Sequence, residues 1–135
     1  MTPDDMKQRT RQLGLRIVRL VESLPNTRTG DVIGKQLLRC GLSVGANYRS
    51  ACRAKSSADF AAKMGIVEEE ADEVIYWIET LVDGGLVKQK LVEPLILEAN
   101  EIVAITVSSI KTARKNGNAR TAKQSAIRIP QSEII

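Results

Sequence analysis

Between Ile33 and Asp83 the apolar residues keep helical spacing almost without interruption. Ile33, Leu37, Cys40, Val44, Asn47 and Ala51 are separated by alternating steps of four and three, with Asn47 the one polar member. After the pair Ser56-Ser57 the rhythm resumes at Phe60, Met64, Val67, Ala71, Val74, Ile78 and Leu81. Steps of this kind gather side chains into one stripe along one face of a helix. Two consecutive helices so built must bury their stripes against each other and against further helices.

The same reading extends to both ends of the chain. Met6, Leu13, Ile17, Leu20 and Leu24 form the stripe of a first helix from about Asp4 to Leu24, opened by Thr2-Pro3-Asp4-Asp5 and closed by Pro25-Asn26. The second helix is predicted from near Thr29 or Asp31 to Lys55. The third starts at Ser56-Ser57-Ala58-Asp59, with serine as its N-cap, and stops at Asp83-Gly84-Gly85. A fourth is predicted over about Lys88 to Arg114, with Pro94 in its first two turns or displacing its start. Its apolar residues cover two sides: Leu91, Leu95, Ile102 and Ile105 on one, Ile96, Val103, Val107 and Ile110 on another. Such a helix is central in a bundle or also buried against a second subunit. From Lys115 onward no period persists, and residues 116–135 read as a basic, mobile tail. Short connections then predict an all-α, antiparallel up-down-up-down four-helix bundle over residues 1–115. Gly34, Gly41 and Gly45 each cost roughly 1 kcal/mol relative to alanine inside the second helix, and close approach of another backbone is the expected compensation.

Composition narrows the chemistry. Only 3% of the residues are aromatic, so the core is aliphatic and a stacking platform for several bases is not expected. No apolar run reaches the length of a membrane span, and MTPDDMKQRT lacks the apolar region of a secretory signal, which predicts a cytoplasmic protein. Cys40 and Cys52 would lie about 18 Å apart on one helix, too far to form a disulfide. With no histidine there is no Ser-His-Asp or Cys-His arrangement and no Glu-x-x-His motif, and the cysteines lack zinc spacing. Gly30-Asp31-Val32-Ile33-Gly34-Lys35-Gln36 is one residue short of a phosphate loop and has Gln where Ser or Thr would hold magnesium. The expectation is no enzyme, no metal and no cofactor.

Charge, by contrast, is sorted. Residues 1–55 hold 11 Lys/Arg against 4 Asp/Glu, residues 56–110 hold 3 against 11, and residues 111–135 hold 6 against 1. Lys35, Arg39, Arg49 and Arg53 fall within about 40° of one azimuth on the second helix, opposite its apolar stripe. They form a ridge that could follow a phosphate backbone of RNA or DNA, extended by Arg9, Arg11, Arg16 and Arg19. Glu68, Glu69, Asp72, Glu79 and Asp83 give the third helix an acidic outer face. A basic and an acidic face on one chain also suit a head-to-tail contact between copies, so the alternative is an interaction scaffold whose basic face serves subunit assembly. Lys63, Glu70 and Trp77, seven residues apart, flank the third-helix core as a bundle seam or subunit contact. Asn47, with Ser43 one turn earlier, reads as a register or oligomer-state device. Tyr48 beside Arg49 adds one stacking group.

Several of these residues carry a family resemblance. Gln36-Leu37-Leu38-Arg39, the run SVGANYRSACRAKS at 43–56 and DFAAKMGIVEEEADEVIYWIETLV at 59–82 resemble the four-helix-bundle family named after proteins encoded in 23S rRNA intervening sequences of bacteria. Ser43, Asn47, Tyr48, Arg49, Arg53, Ser56, Phe60, Lys63, Glu70, Glu73 and Trp77 are the most telling positions, and the likeness covers roughly Leu13 to Arg114. Many members carry a Glu-Gly pair where this chain has Ser50-Ala51. The resemblance implies an antiparallel bundle, a homo-oligomeric ring (a homopentamer) and no established catalysis. It makes Asn47, Tyr48, Lys63, Glu70, Glu73 and Trp77 candidate bundle or subunit contacts. Through the accessory variability determinant of diversity-generating retroelements it also implies nucleic acid and a reverse transcriptase as partners.

Overall fold

The computed structural model describes residues 1–127, with side chains as far as Asn118; the remainder of the expected tail lies outside the described residues. Four helices follow one another: α1 Pro3–Glu22, α2 Arg28–Ala51, α3 Ser57–Asp83 and α4 Gln89–Ile127, with no strand among the described residues. Each of the first three starts where a side chain caps it. Thr2 Oγ1 accepts from the Asp5 amide at 3.1 Å while Asp5 Oδ2 accepts from the Thr2 amide at 2.9 Å, a reciprocal capping box with Pro3 in the first turn. Thr27 caps α2 through the Gly30 amide at 3.0 Å, and Ser56 caps α3 through the Asp59 amide at 3.0 Å.

Two boundaries differ from the sequence reading. α2 ends at Ala51 rather than Lys55, because Ser56 must be extended (φ −159°, ψ 167°) to cap the next helix. The Lys55 amide is accordingly spent on Asp59 Oδ2 at 3.1 Å. α4 continues beyond Arg114 to Ile127, so residues 116–127 of the expected tail are helical. Asn116-Gly117-Asn118 looks like a break in sequence, yet Gly117 passes against the start of α3. A Cβ there would lie 3.2 Å from Cβ of Ser57. Alanine, lysine, arginine and glutamine then sustain a helix that no apolar stripe announces. Pro94 sits in the second turn of α4, within the two turns expected, where it leaves the Lys90 carbonyl without its amide partner.

The helices pack in sequence order, α1 on α2, α2 on α3 and α3 on α4, and the α1–α4 seam that closes the bundle is the thinnest. Leu13, Ile17, Leu37, Val44, Met64, Val67, Val74, Ile78, Leu81 and Ile102 are fully buried in one aliphatic core. Two threonines share it: Thr10 Oγ1 donates to the Met6 carbonyl at 2.9 Å and Thr106 Oγ1 to the Ile102 carbonyl at 2.7 Å, so neither hydroxyl is orphaned. Of the α2 glycines expected to meet another backbone, Gly45 does, whereas Gly34 and Gly41 face side chains of α1 and of the segment after it. A Cβ on Gly45 would sit 3.4 Å from the carbonyl carbon of Thr10, and one on Gly41 would sit 2.5 Å from Cδ1 of Ile17. From the other side, a Cβ on Gly14 would be 3.4 Å from the Gly41 carbonyl oxygen. The loss of helix propensity is offset by packing of α1 on α2 that larger residues would hold apart.

Candidate nucleic-acid interface

All four residues of the α2 ridge have exposed side chains, but they differ in what they are free to bind. Lys35 is 77% exposed and only loosely paired, 3.7 Å from Asp31 one turn earlier. Arg39 is committed within the chain. Its guanidinium meets Glu70 at 3.2 Å and Glu73 at 2.6 Å, and Trp77 Nε1 donates to the same Glu73 oxygen at 3.3 Å. Glu70, Glu73 and Trp77 lie one turn apart on α3, so a single arginine from α2 can bridge two of them. The arginine holds the Glu73 carboxyl below its ordinary value. Arg49 and Arg53, by contrast, are exposed and form no ion pair among the described residues.

The extension of the ridge onto α1 divides. Arg9 turns to α4, where its Nε and Nη2 grip Glu98 at 2.8 and 2.6 Å and Nη2 also meets Glu101 at 2.9 Å. This clasp crosses the thin seam, and Arg9 holds the Glu98 carboxyl below its ordinary value. Only the fold brings these residues together, and no local spacing could have announced it. Arg16 and Arg19 line a small hollow with Leu20 and Leu95, also toward α4. Gly45 lies against Thr10 and Arg11, so the climb along α1 to Arg16 and Arg19 leads away from Arg49 and Arg53. The eight cations expected to form one surface are therefore dispersed over the bundle.

The other candidates are satisfied close to home. Asn47 Nδ2 donates to the carbonyl and hydroxyl oxygens of Ser43, at 2.8 and 2.7 Å, within its own helix. Lys63 meets Asp59 at 3.3 Å rather than Glu70. Tyr48, expected as an accessible ring, is only 6% exposed and belongs to the core, where burial pushes its phenol up. Cys40 is fully buried, which pushes its thiol up to about 12, whereas Cys52 is half-buried.

What the sequence ridge missed is an end of the bundle. α1 and α3 begin there, and α2 and α4 arrive there. Lys7, Arg11, Arg49, Arg53 and Lys55 are exposed on this side, together with Lys111, Arg114 and Lys115 of α4. None of these eight forms an ion pair among the described residues. Beside them opens a cleft of about 730 Å³ whose walls come from all four helices. The ridge azimuth found Arg49 and Arg53; Lys7 and the α4 cations needed the antiparallel order of the helices to be placed next to them. Among the described residues no three Cys, Asp or Glu side chains come together as a cation site, and no helix is long and apolar enough to cross a membrane.

A family model for 23S rRNA-intervening sequence proteins matches residues 4–108. The chain belongs to that family. A solved structure of a protein of unknown function from the S23 ribosomal protein family of Bacteroides thetaiotaomicron is 36% identical to this 23S rRNA-intervening sequence protein. The match covers 82% of this chain and 99% of that one, with a TM-score of 0.76. Among curated proteins nothing matches. The span matched by the family model includes the Arg39–Glu70–Glu73–Trp77 network and the unpaired Arg49 and Arg53. It stops short of Lys111, Arg114 and Lys115.

Proposed function

We propose that this family member is a non-enzymatic, oligomeric bundle protein that binds RNA or DNA through phosphate contacts at its cationic end. The observation that carries the reading is that eight cations without ion pairs collect there, against five (Arg16, Arg19, Arg28, Lys88 and Lys90) spread over the rest of the described residues, while Arg9 and Arg39 are consumed inside the chain. Unpaired, hydrated cations release counterions from a polyanion at little desolvation cost, whereas a paired arginine would first have to break its bridge.

Binding of this kind is read from salt. If Lys7, Arg11, Arg49 and Arg53 each neutralise one phosphate, raising salt from about 50 to about 200 mM weakens binding on the order of a hundredfold. Arg49→Gln with Arg53→Gln should lower affinity at about 50 mM salt by tenfold or more and reduce the salt slope by roughly 2. Fluorescence anisotropy with labelled RNA and DNA measures both. No binding at about 50 mM salt, or a double variant that behaves like the parent, would overturn the reading.

A second reading has its own support. The outer face of α3 exposes Glu69, Asp72 and Glu79 together with Ile66 and Tyr76, and the outer side of α1 and α2 exposes Leu15 and Leu42 near Arg49. Acid with apolar on one side and base with apolar on the other suit contact between successive copies in a ring.

A further inference from the structure

The cleft at the cationic end has a composition that phosphate contacts alone do not use. Met6 of α1, Tyr48 near the end of α2 and Phe60 in the first turn of α3 line it with carbon. Across from them α4 contributes Ser109, Thr112 and Asn116. Thr10, Thr80 and Thr106 fold their hydroxyls back on the carbonyl one turn earlier. Ser109, Thr112 and Asn116 make no such bond, nor any other side-chain hydrogen bond among the described residues. Their donors and acceptors are therefore unspent, and they face a space sized for a small ligand rather than for another element of structure. Lys55 lines the rim, and Arg53 lies between the lining residues Cys52 and Ala54.

A lining rich in carbon, to which α4 adds Ile105 and Ala113, together with hydrogen-bonding groups from α4 and cations at the edge, suits a planar heterocycle attached to a phosphodiester. We infer that the cleft receives an unpaired nucleobase, so that the protein prefers single-stranded nucleic acid to duplex. The inference rests on the phosphate-binding reading and adds the place where a base goes. Half-buried Phe60 gives the ring an aromatic wall, with the buried Tyr48 behind the lining; Ser109, Thr112 and Asn116 meet its polar edge, and Lys55 and Arg53 take the adjoining phosphates. A duplex offers no such group, because its bases are stacked and their pairing edges are engaged. It can use the surrounding cations only.

Two measurements on the full chain test this at about 50 mM salt. In the first, anisotropy compares a short uridine-only RNA strand with a blunt RNA duplex of equal length. The strand should bind roughly fivefold tighter or more, since one stacked base is worth at least that. Ser109→Trp, which fills the cleft without touching a cation, should lower strand affinity to the duplex level and leave duplex affinity unchanged. In the second, a thiol reagent is applied to the unaltered protein. Cys52 lines the cleft and Cys40 is fully buried, so a saturating strand should slow modification of Cys52, while an unreactive Cys40 reports an intact fold. Equal affinity for strand and duplex, or Cys52 modification unchanged by bound strand, overturns the base site and leaves phosphate binding standing. Failure of both nucleic acids to bind overturns both readings. Should Ser109→Trp not fold, Cys52 protection in the unaltered protein decides between a filled and an empty cleft.

Discussion

Arg9 and Glu98 are the residues on which the α1–α4 seam depends most. Both side chains are about one-fifth exposed, and the pair is bidentate, so the interaction is stronger than an ordinary surface ion pair. Glu98→Gln should destabilise the bundle by about 1–2 kcal/mol at neutral pH. The sign with pH follows from the lowered carboxyl. A group whose pKa falls on folding contributes stability above its unfolded value, near 4.5, and loses it as pH drops through the folded value. The stability gap between Glu98→Gln and the parent should therefore be full at pH 7 and close as pH falls well below 4.5. Urea unfolding at a series of pH values measures it, and a gap that stays constant into acid would show that the carboxylate charge is not what holds the seam.

At the scale of elements, glycine divides the helices into those that need closeness and those that do not. Gly41 of α2 lies beneath Ile17, where an added Cβ meets three atoms of that side chain within 3.2 Å, including Cγ2 at 2.9 Å. Gly65 of α3 has nothing within 4 Å of the same imagined atom. Gly65→Ala should raise stability by about 1 kcal/mol through helix propensity, whereas Gly41→Ala should lower it by about 1–2 kcal/mol despite the same propensity gain. Melting temperatures of the two variants should thus fall on opposite sides of the parent's. The stripes of α1 to α3, the caps at Thr2 and Ser56 and the cost of the α2 glycines were legible in the sequence, because each is written in local spacing; the stripe of α4 was not, since the core takes Val92 and Ala99 and leaves the expected Leu91 exposed. The end of α4 was not, because its continuation rests on propensity and on Gly117 meeting Ser57 rather than on a stripe. The candidate site was half legible for a related reason. A helical azimuth can put Arg39 and Arg49 on one ridge, but it cannot reveal that Glu70 and Glu73 of the next helix claim the first and leave the second.

For the whole molecule the open question is which of two uses the sorted charge serves. If copies join through the acidic outer face of α3, Glu69→Lys with Asp72→Lys should shrink the particle, and light scattering reads the mass directly. An unchanged mass would assign that face to solvent and leave the cationic end to nucleic acid alone. The two uses are separable at the acidic face, because Glu69 and Asp72 serve assembly alone whereas Arg49 stands in both. Glu69 and Asp72 lie on the middle of α3, whereas Arg49 and Arg53 lie at the end of α2.

The overrun of α4 sets the terms on which anything reaches that end. Past Gly117, which lies against the first residue of α3, the helix continues for ten residues, roughly 15 Å, beyond the point where α3 begins. It stands beside the mouth of the cleft like a post beside a doorway. Under the proposed preference for a strand, a broad, stiff visitor arriving end-on would strike the post first, while a pliant thread would bend around it and enter.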